Sequence, residues 1–213
     1  MFAITPNILS KFLNFCSKYI FILSIILFGV SAILIILLEN DYYQGISFKI
    51  MFVHVPTAWL SLLIFLTMGV SSIIGLIFKS PTSFTISRAL SPIGLIMSII
   101  VLITGSIWGN LTWGTYWVWD ARLTSMLILA FIYLGHILLL NSFDHFQKSD
   151  FAASILAIIG LVNLPIVKFS VDWWTTLHQG ASVFKVGGPS MTNDYLITLL
   201  LCFAALFSSY PIT

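Results

Sequence analysis

Charge is what this chain has least of. Lys, Arg, Asp and Glu together make up 8% of its 213 residues, against 59% hydrophobic residues. A soluble domain carries about a quarter charged residues, so the shortage excludes a water-soluble globular protein and points to an integral membrane protein. The formal net charge of +2 is too small to argue for a nucleic-acid partner. Cysteine is also scarce. Cys16 and Cys202 are remote in sequence and neither lies in a CxxC or CxxCH pattern. That excludes a redox pair, a zinc ribbon and covalent haem attachment, and leaves two small, ordinarily buried residues. GxGxxG, Walker and HExxH patterns are missing, so nucleotide hydrolysis and zinc proteolysis have no basis in the sequence. There is no internal repeat and no separate soluble domain. The first apolar run follows Lys11 and Lys18, but it is too long for a signal core and lacks a small-residue cleavage site, so it reads as a first span.

What the chain has in abundance is long apolar runs. A helix needs about 20 apolar residues to cross the hydrocarbon core. Six stretches qualify: roughly 20–38, 55–78, 89–108, 123–140, 152–168 and 194–212. The fifth is the weakest, because Asn163 and Pro165 interrupt its end. The expected fold is therefore an all-α integral membrane protein, a single six-helix bundle over residues 1–213. Its sidedness follows from the basic residues. Segments 1–19 and 79–88 hold Lys11, Lys18, Lys79 and Arg88 and no acid, which places both termini inside. The loops 39–54, 109–122 and 169–193 then share the outer face.

The loop 109–122 is the most unusual of these. The segment 104–125 contains Trp108, Trp113, Trp117 and Trp119, four of the seven tryptophans in the chain. An interfacial aromatic belt needs one or two, and it does not account for Asp120 and Arg122 beside them. If residues 113–121 are helical, Trp113 and Trp117 align at i and i+4; if they are extended, Trp117 and Trp119 share a face. Gly109 and Gly114 remove side chains where a flat ligand would approach the backbone. Such a surface suits a large, mostly apolar ring with polar edges, as in a porphyrin. Arg122 pairs in chemistry with a propionate, with Asp120 orienting Arg122 or an indole N–H. Lys49 reads equally as a second propionate contact or as a snorkelling interface lysine.

The histidines divide in two pairs. His54 precedes a span whose start is marked by Pro56 at a first-turn position, and Trp59 follows. His178 lies in the outer loop after Trp173 and Trp174. Asp172 at the start of a short helix there would put Trp174 and His178 on one face. One isolated histidine at a membrane edge is ordinarily just that. Two on the same outer face, each flanked by tryptophan, are candidate axial ligands, because neutral imidazole binds haem iron well. His136, inside the fourth span, reads as a neutral histidine hydrogen-bonded to a neighbouring helix. His145 reads as solvated in a short inner loop.

WGTYWVWDARLTS (113–125), with HVPTAW (54–59) and WWTTLHQG (173–180), strongly resembles the tryptophan-rich (WWD) haem-handling membrane proteins of cytochrome c biogenesis. With six spans and little else, the chain looks like the cytochrome c maturation protein C (CcmC), or haem exporter protein C, family. The resemblance covers about Lys49 to Met191. It implies non-covalent haem b held at the outer surface by His54, His178 and the loop. It implies partners too: a periplasmic haem chaperone (CcmE) that captures the haem, a small membrane protein (CcmD) and an ABC transporter pair (CcmA and CcmB), in a bacterial or mitochondrial inner membrane. The chain departs from the family after residue 191, where it is shorter. The larger haem lyases of the superfamily carry further spans and histidines that are missing here. The resemblance implies presentation of haem rather than enzymatic turnover. The competing readings are a b-type cytochrome exchanging electrons with quinone, which would normally set its histidines within the bundle, and a permease, for which only His136 is available as a polar step.

Overall fold

The structure, a computed structural model, describes residues 6–209, with side chains from residue 15. Among the described residues it is all-helical with no β-strand: α1 (Pro6–Leu37), a short 3₁₀ helix (Ile46–Ile50), α2 (Met51–Phe78), α3 (Pro81–Trp113), α4 (Ala121–Leu140), α5 (Phe146–Gly160), α6 (Asn163–Trp173) and α7 (Asn193–Ser208). Five helical segments are long and apolar enough to cross a membrane: Phe15–Leu37, Ile46–Phe78, Pro81–Trp113, Ala121–Leu140 and Phe146–Trp173. The sixth expected run corresponds to α7, a shorter apolar helix; residues 210–212 of that run, like the Lys11 side chain, lie outside the described residues.

The helices outrun the apolar runs from which they were expected, for identifiable reasons. α3 begins at Pro81 behind the Ser80 cap, whose side chain accepts from the Ser83 N–H, because proline at the first helical position has no N–H to leave unpaired. Further along, Pro92 lacks the N–H that would pair with the Arg88 carbonyl. That carbonyl accepts the Ser91 hydroxyl at 3.1 Å instead, and the helix continues. The fifth run splits at residues 161–162. Pro165 has no N–H for the Leu161 carbonyl, and the backbone turns through the tighter pairs Leu161 N to Ile158 O and Leu164 N to Leu161 O. Asn163 is buried at this break and donates to the Ser125 carbonyl at 2.9 Å. α2 starts at Met51 rather than 55, so Pro56 lies inside the helix and not at its first position; the preceding 3₁₀ helix runs straight into α2 and supplies the turn that the apolar pattern did not register.

The chain forms two compact units, Met1–Pro56 with Pro189–Thr213, and Thr57–Gly188. In the first, α1 packs on α7, with Ser24 donating to the Ala205 carbonyl at 3.2 Å and Phe48 tilted against Tyr195 at 4.9 Å.

In the second unit α4 is the hub, packed against α3, α5 and α6. Its interior is built from close helix contact and small polar groups, the usual means of association where lipid tails are as apolar as leucine. Tyr133 is fully buried, its hydroxyl donates to the Ser61 carbonyl at 2.7 Å, and its ring fills the space beside Gly94. Ser61 and Ser98 share a hydrogen bond at 2.8 Å. About 20 Å along α4 from its start, His136 Nε2 lies 3.1 Å from Ser87 Oγ, which is itself 3.1 Å from Ser72 Oγ. His136 is thus hydrogen-bonded to a neighbouring helix, α3, as its sequence reading had it. Nearby, Arg88 pairs with Asp150 at 2.7 Å and lies over the Phe146 ring.

Candidate functional site

At the end of the second unit where α3 stops and α4 starts, Trp113, Trp117, Trp119, Asp120, Arg122 and His178 come together. α3 runs through Trp113 and is closed by Gly114 at φ 75°, whose N–H bonds to the Asn110 carbonyl, a left-handed cap that favours glycine. This corrects the reading of the two loop glycines. Gly114 serves the helix end, and the space beside Gly109 is taken by the Trp113 ring, since a Cβ there would meet that ring at 3.2 Å. The tryptophan-rich connection is therefore 114–120, not 109–122, because both neighbouring helices extend into it.

The connection is irregular, bending at residues 114 and 116, and the ring pair that forms is the one expected of an extended geometry: Trp117 and Trp119 meet edge to face at 5.4 Å. Thr115 pins the turn by donating to the Trp117 carbonyl at 3.1 Å, and Ser106 of α3 donates to the Tyr116 carbonyl at 2.7 Å. Trp119 is 78% exposed, too much for a core residue. The Trp117 indole N–H is the reverse, buried with no hydrogen-bond partner among the described residues.

Asp120 joins this loop to the next. One carboxylate oxygen caps α4 by accepting from the Leu123 N–H at 2.8 Å, where negative charge also suits the helix dipole. The other accepts the hydroxyl of Thr176. Thr176 in turn accepts the His178 N–H at 3.0 Å. Arg122, in the first turn of α4, has Asp120 and Asp172 as the carboxylates acting on its charge, and its Nη1 makes a long 3.5 Å contact with the Lys168 carbonyl.

His178 is partly buried. Its Nδ1 lies 2.9 Å from the Gln179 carbonyl; a carbonyl only accepts, so Nδ1 carries the proton and the lone pair is on Nε2, the tautomer suited to binding a metal through Nε2. Its pKa lies below the ordinary imidazole value, first because of burial and second because of the Arg122 cation, with the Gln179 bond and Asp120 acting in the opposite direction. Depression of the pKa favours the neutral, ligating form.

The ring beside His178 is Trp113, at 6.3 Å between centroids. The expected Trp174–His178 face does not form. Asp172 is near the end of α6, not the start of a helix, and Trp174 is an extended cap whose N–H bonds to the Ser170 carbonyl. Trp174 packs edge to face on Trp173 at 5.7 Å, and Trp173 stacks on Phe169. The remaining two candidates belong to the other unit. Lys49 donates to the Ile36 carbonyl in the last turn of α1 at 3.3 Å, a cation placed at a helix C-terminus. His54 is in the first turns of α2 and 9% exposed.

Sequence reasoning missed Thr176 and the Gln179 carbonyl. The only local signal was a threonine two residues before the histidine, a spacing at which a hydroxyl reaches back to the chain. Among the described residues no group of three or more His, Cys, Asp or Glu is placed to hold a bare metal ion. A haem-type iron, which carries its own ring nitrogens, would ask only an imidazole of the protein, and His178, beside Trp113 and held by the Gln179 carbonyl, is the residue that would supply it.

Comparison with known proteins identifies the family. Residues 2–212 match the family model described as CcmC, Heme exporter protein C. The chain is 46% identical over 178 residues to the Heme exporter protein C of Bradyrhizobium diazoefficiens, a match covering 84% of this chain and 68% of that one. It is 46% identical over 168 residues to a putative cytochrome c biosynthesis ccmC-like mitochondrial protein of Marchantia polymorpha, covering 79% and 71%. With the Heme exporter protein C of Escherichia coli K12 it shares 49% identity over 142 residues, covering 67% of this chain and 58% of the relative.

Proposed function

The chain belongs to the haem exporter protein C family, and from that premise we propose that it holds haem as cargo at the 114–120 loop, with His178 as an axial ligand, and hands it to a partner protein in cytochrome c biogenesis. The observation that carries this reading is the His178 imidazole, set beside Trp113 with its Nδ1 proton committed to the Gln179 carbonyl. Haem iron would accept the Nε2 lone pair, and the protein supplies place and orientation.

Trp117 and Trp119 cover part of the ring face, with apolar burial contributing about 25 cal/mol per Å². The Arg122 guanidinium is the donor for a propionate oxygen. An exposed Trp119 leaves one ring edge open to a partner. In this reading the cargo is non-covalent haem b, the loop faces outward from a bacterial or mitochondrial inner membrane, and the acceptor is the periplasmic haem chaperone (CcmE), with CcmD and the CcmA–CcmB transporter as the accompanying proteins. Transfer without chemical change of the haem makes the protein a carrier and not an enzyme.

The test is an absorption titration of the detergent-purified protein with haemin. A saturable, one-to-one spectrum of imidazole-ligated iron is expected; haemin partitioning into micelles with no shift in its spectrum removes the reading. Maleimide labelling of a cysteine introduced at Thr115 checks sidedness, and reaction from the cytoplasmic side alone would reverse the orientation. The sequence-based assignment of His54 as an iron ligand has its own check. His54→Ala is expected to weaken haem retention and to stop loading of the chaperone, and an unaltered iron spectrum in that variant takes His54 out of the ligand set.

A further inference from the structure

We propose that Thr176 is a positioning residue for haem binding, a clasp through which Asp120 holds His178 in place. The proposal rests on the haem reading of the same site and adds to it a residue that touches no haem. Three bonds define the clasp, and their polarity is settled by chemistry. The backbone N–H of His178 can only donate, so the Thr176 oxygen accepts it, at 3.0 Å. A carboxylate can only accept, so the Thr176 proton goes to Asp120 Oδ2. The other carboxylate oxygen accepts the Leu123 N–H at 2.8 Å, which ties the arrangement to the first turn of α4.

The consequence is geometric. The segment after α6 has no helix or strand of its own to set the direction of His178. What fixes it is a hydroxyl bonded to a residue far away in sequence, in the tryptophan-rich connection. A charge-assisted bond of this kind is stronger than a neutral one. It holds together the region where the Trp113 and His178 rings meet edge to face at 6.3 Å. Asp120 thereby acquires a role different from a direct haem contact: both of its oxygens are engaged by the protein.

Thr176→Val keeps the shape and removes the hydroxyl, leaving both the His178 N–H and Asp120 Oδ2 without that partner. Thr176→Ser keeps all three bonds. The experiment uses the full chain in detergent, with haemin as the probe. Thr176→Val is expected to raise the haemin dissociation constant about tenfold, equivalent to about 1.4 kcal/mol, and to weaken the imidazole-ligated signature in the absorption and EPR spectra. Thr176→Ser is expected to restore both. Hydrogen–deuterium exchange over residues 176–180, measured without haemin, is expected to quicken in the valine variant alone. Wild-type affinity and spectrum in Thr176→Val overturn the proposal, as does a serine variant that is as impaired as the valine one.

Should Thr176→Val fail to accumulate, Thr176→Ala removes the same hydroxyl without the bulk of valine, and neither the His178 N–H nor Asp120 Oδ2 can then be bonded by residue 176. The same tenfold loss is expected, and full affinity there is equally decisive against the clasp. If the wild-type chain itself binds no haemin, the haem reading fails and the positioning role falls with it, while the exchange measurement still reports whether the bond exists.

Discussion

His178→Ala is expected to abolish specific haemin binding by the purified protein, with a fall in affinity of at least about a hundredfold. One axial bond is lost, and with it the group that Trp113 faces. The Nδ1 proton is already bound to the Gln179 carbonyl, so no rotation of the ring is needed before Nε2 binds iron. Added imidazole should recover part of the spectrum, because the aromatic surface at Trp117 and Trp119 survives the substitution. Retention of the wild-type spectrum in His178→Ala would exclude the residue as a ligand. The pH dependence has a definite sign. On the proposed reading the ligand is the neutral imidazole, whose pKa lies below the ordinary value through burial and the Arg122 cation. Protonation therefore competes at a lower pH than for an ordinary imidazole. Haem should accordingly be lost at a more acid pH than a solvent-exposed histidine ligand would allow. Arg122→Gln, which removes the lowering charge, should move the midpoint upward.

Gly94→Ala is expected to be the most damaging single-methyl change in the second unit. A Cβ at residue 94 would collide with the Tyr133 ring, and that ring has nowhere to go. It is fully buried, packed edge to face on Phe65 at 5.1 Å, and its hydroxyl is engaged by the Ser61 carbonyl. Overpacking of this kind costs about 1–3 kcal/mol, and loss of the buried hydroxyl bond adds about 1 kcal/mol more. Thermal unfolding in detergent should show a clearly lower midpoint, and Gly94→Leu should leave little folded protein. Tyr133→Leu, added to Gly94→Ala, should recover part of the loss by vacating the space. A Gly94→Ala protein as stable as wild type would mean that α3 and α4 are not packed through this contact.

The helical character of the chain was legible in its apolar runs, and so was the weakness of the fifth run. Asn163 and Pro165 mark the place where α5 gives way to α6, since a proline deprives a carbonyl of its partner wherever it stands in a helix. The site residues were legible as types. Trp113, Trp117, Trp119, Asp120, Arg122 and His178 attract attention because their density exceeds what a membrane edge requires, and they share one end of the second unit. Less legible were the roles of residues whose neighbours come from another element. Gly109 and Gly114 look like openings for a ligand, yet one seats the Trp113 ring and the other ends α3. Lys49 reads equally as a propionate contact or a snorkelling lysine, and its ammonium is engaged by the carbonyl end of α1.

By itself, the sequence determined that the chain is an all-helical membrane protein of the haem exporter C family, and which side chains carry the candidate chemistry. Only the tertiary structure decided that His178 faces Trp113 instead of Trp174, and that Asp120 reaches across to Thr176. The physical reason lies in range. Helical and extended periodicity relate residues within one element. The partnership of Asp120 with Thr176 depends on where α6 stops and how the chain leaves it, and no local pattern in either segment encodes that path.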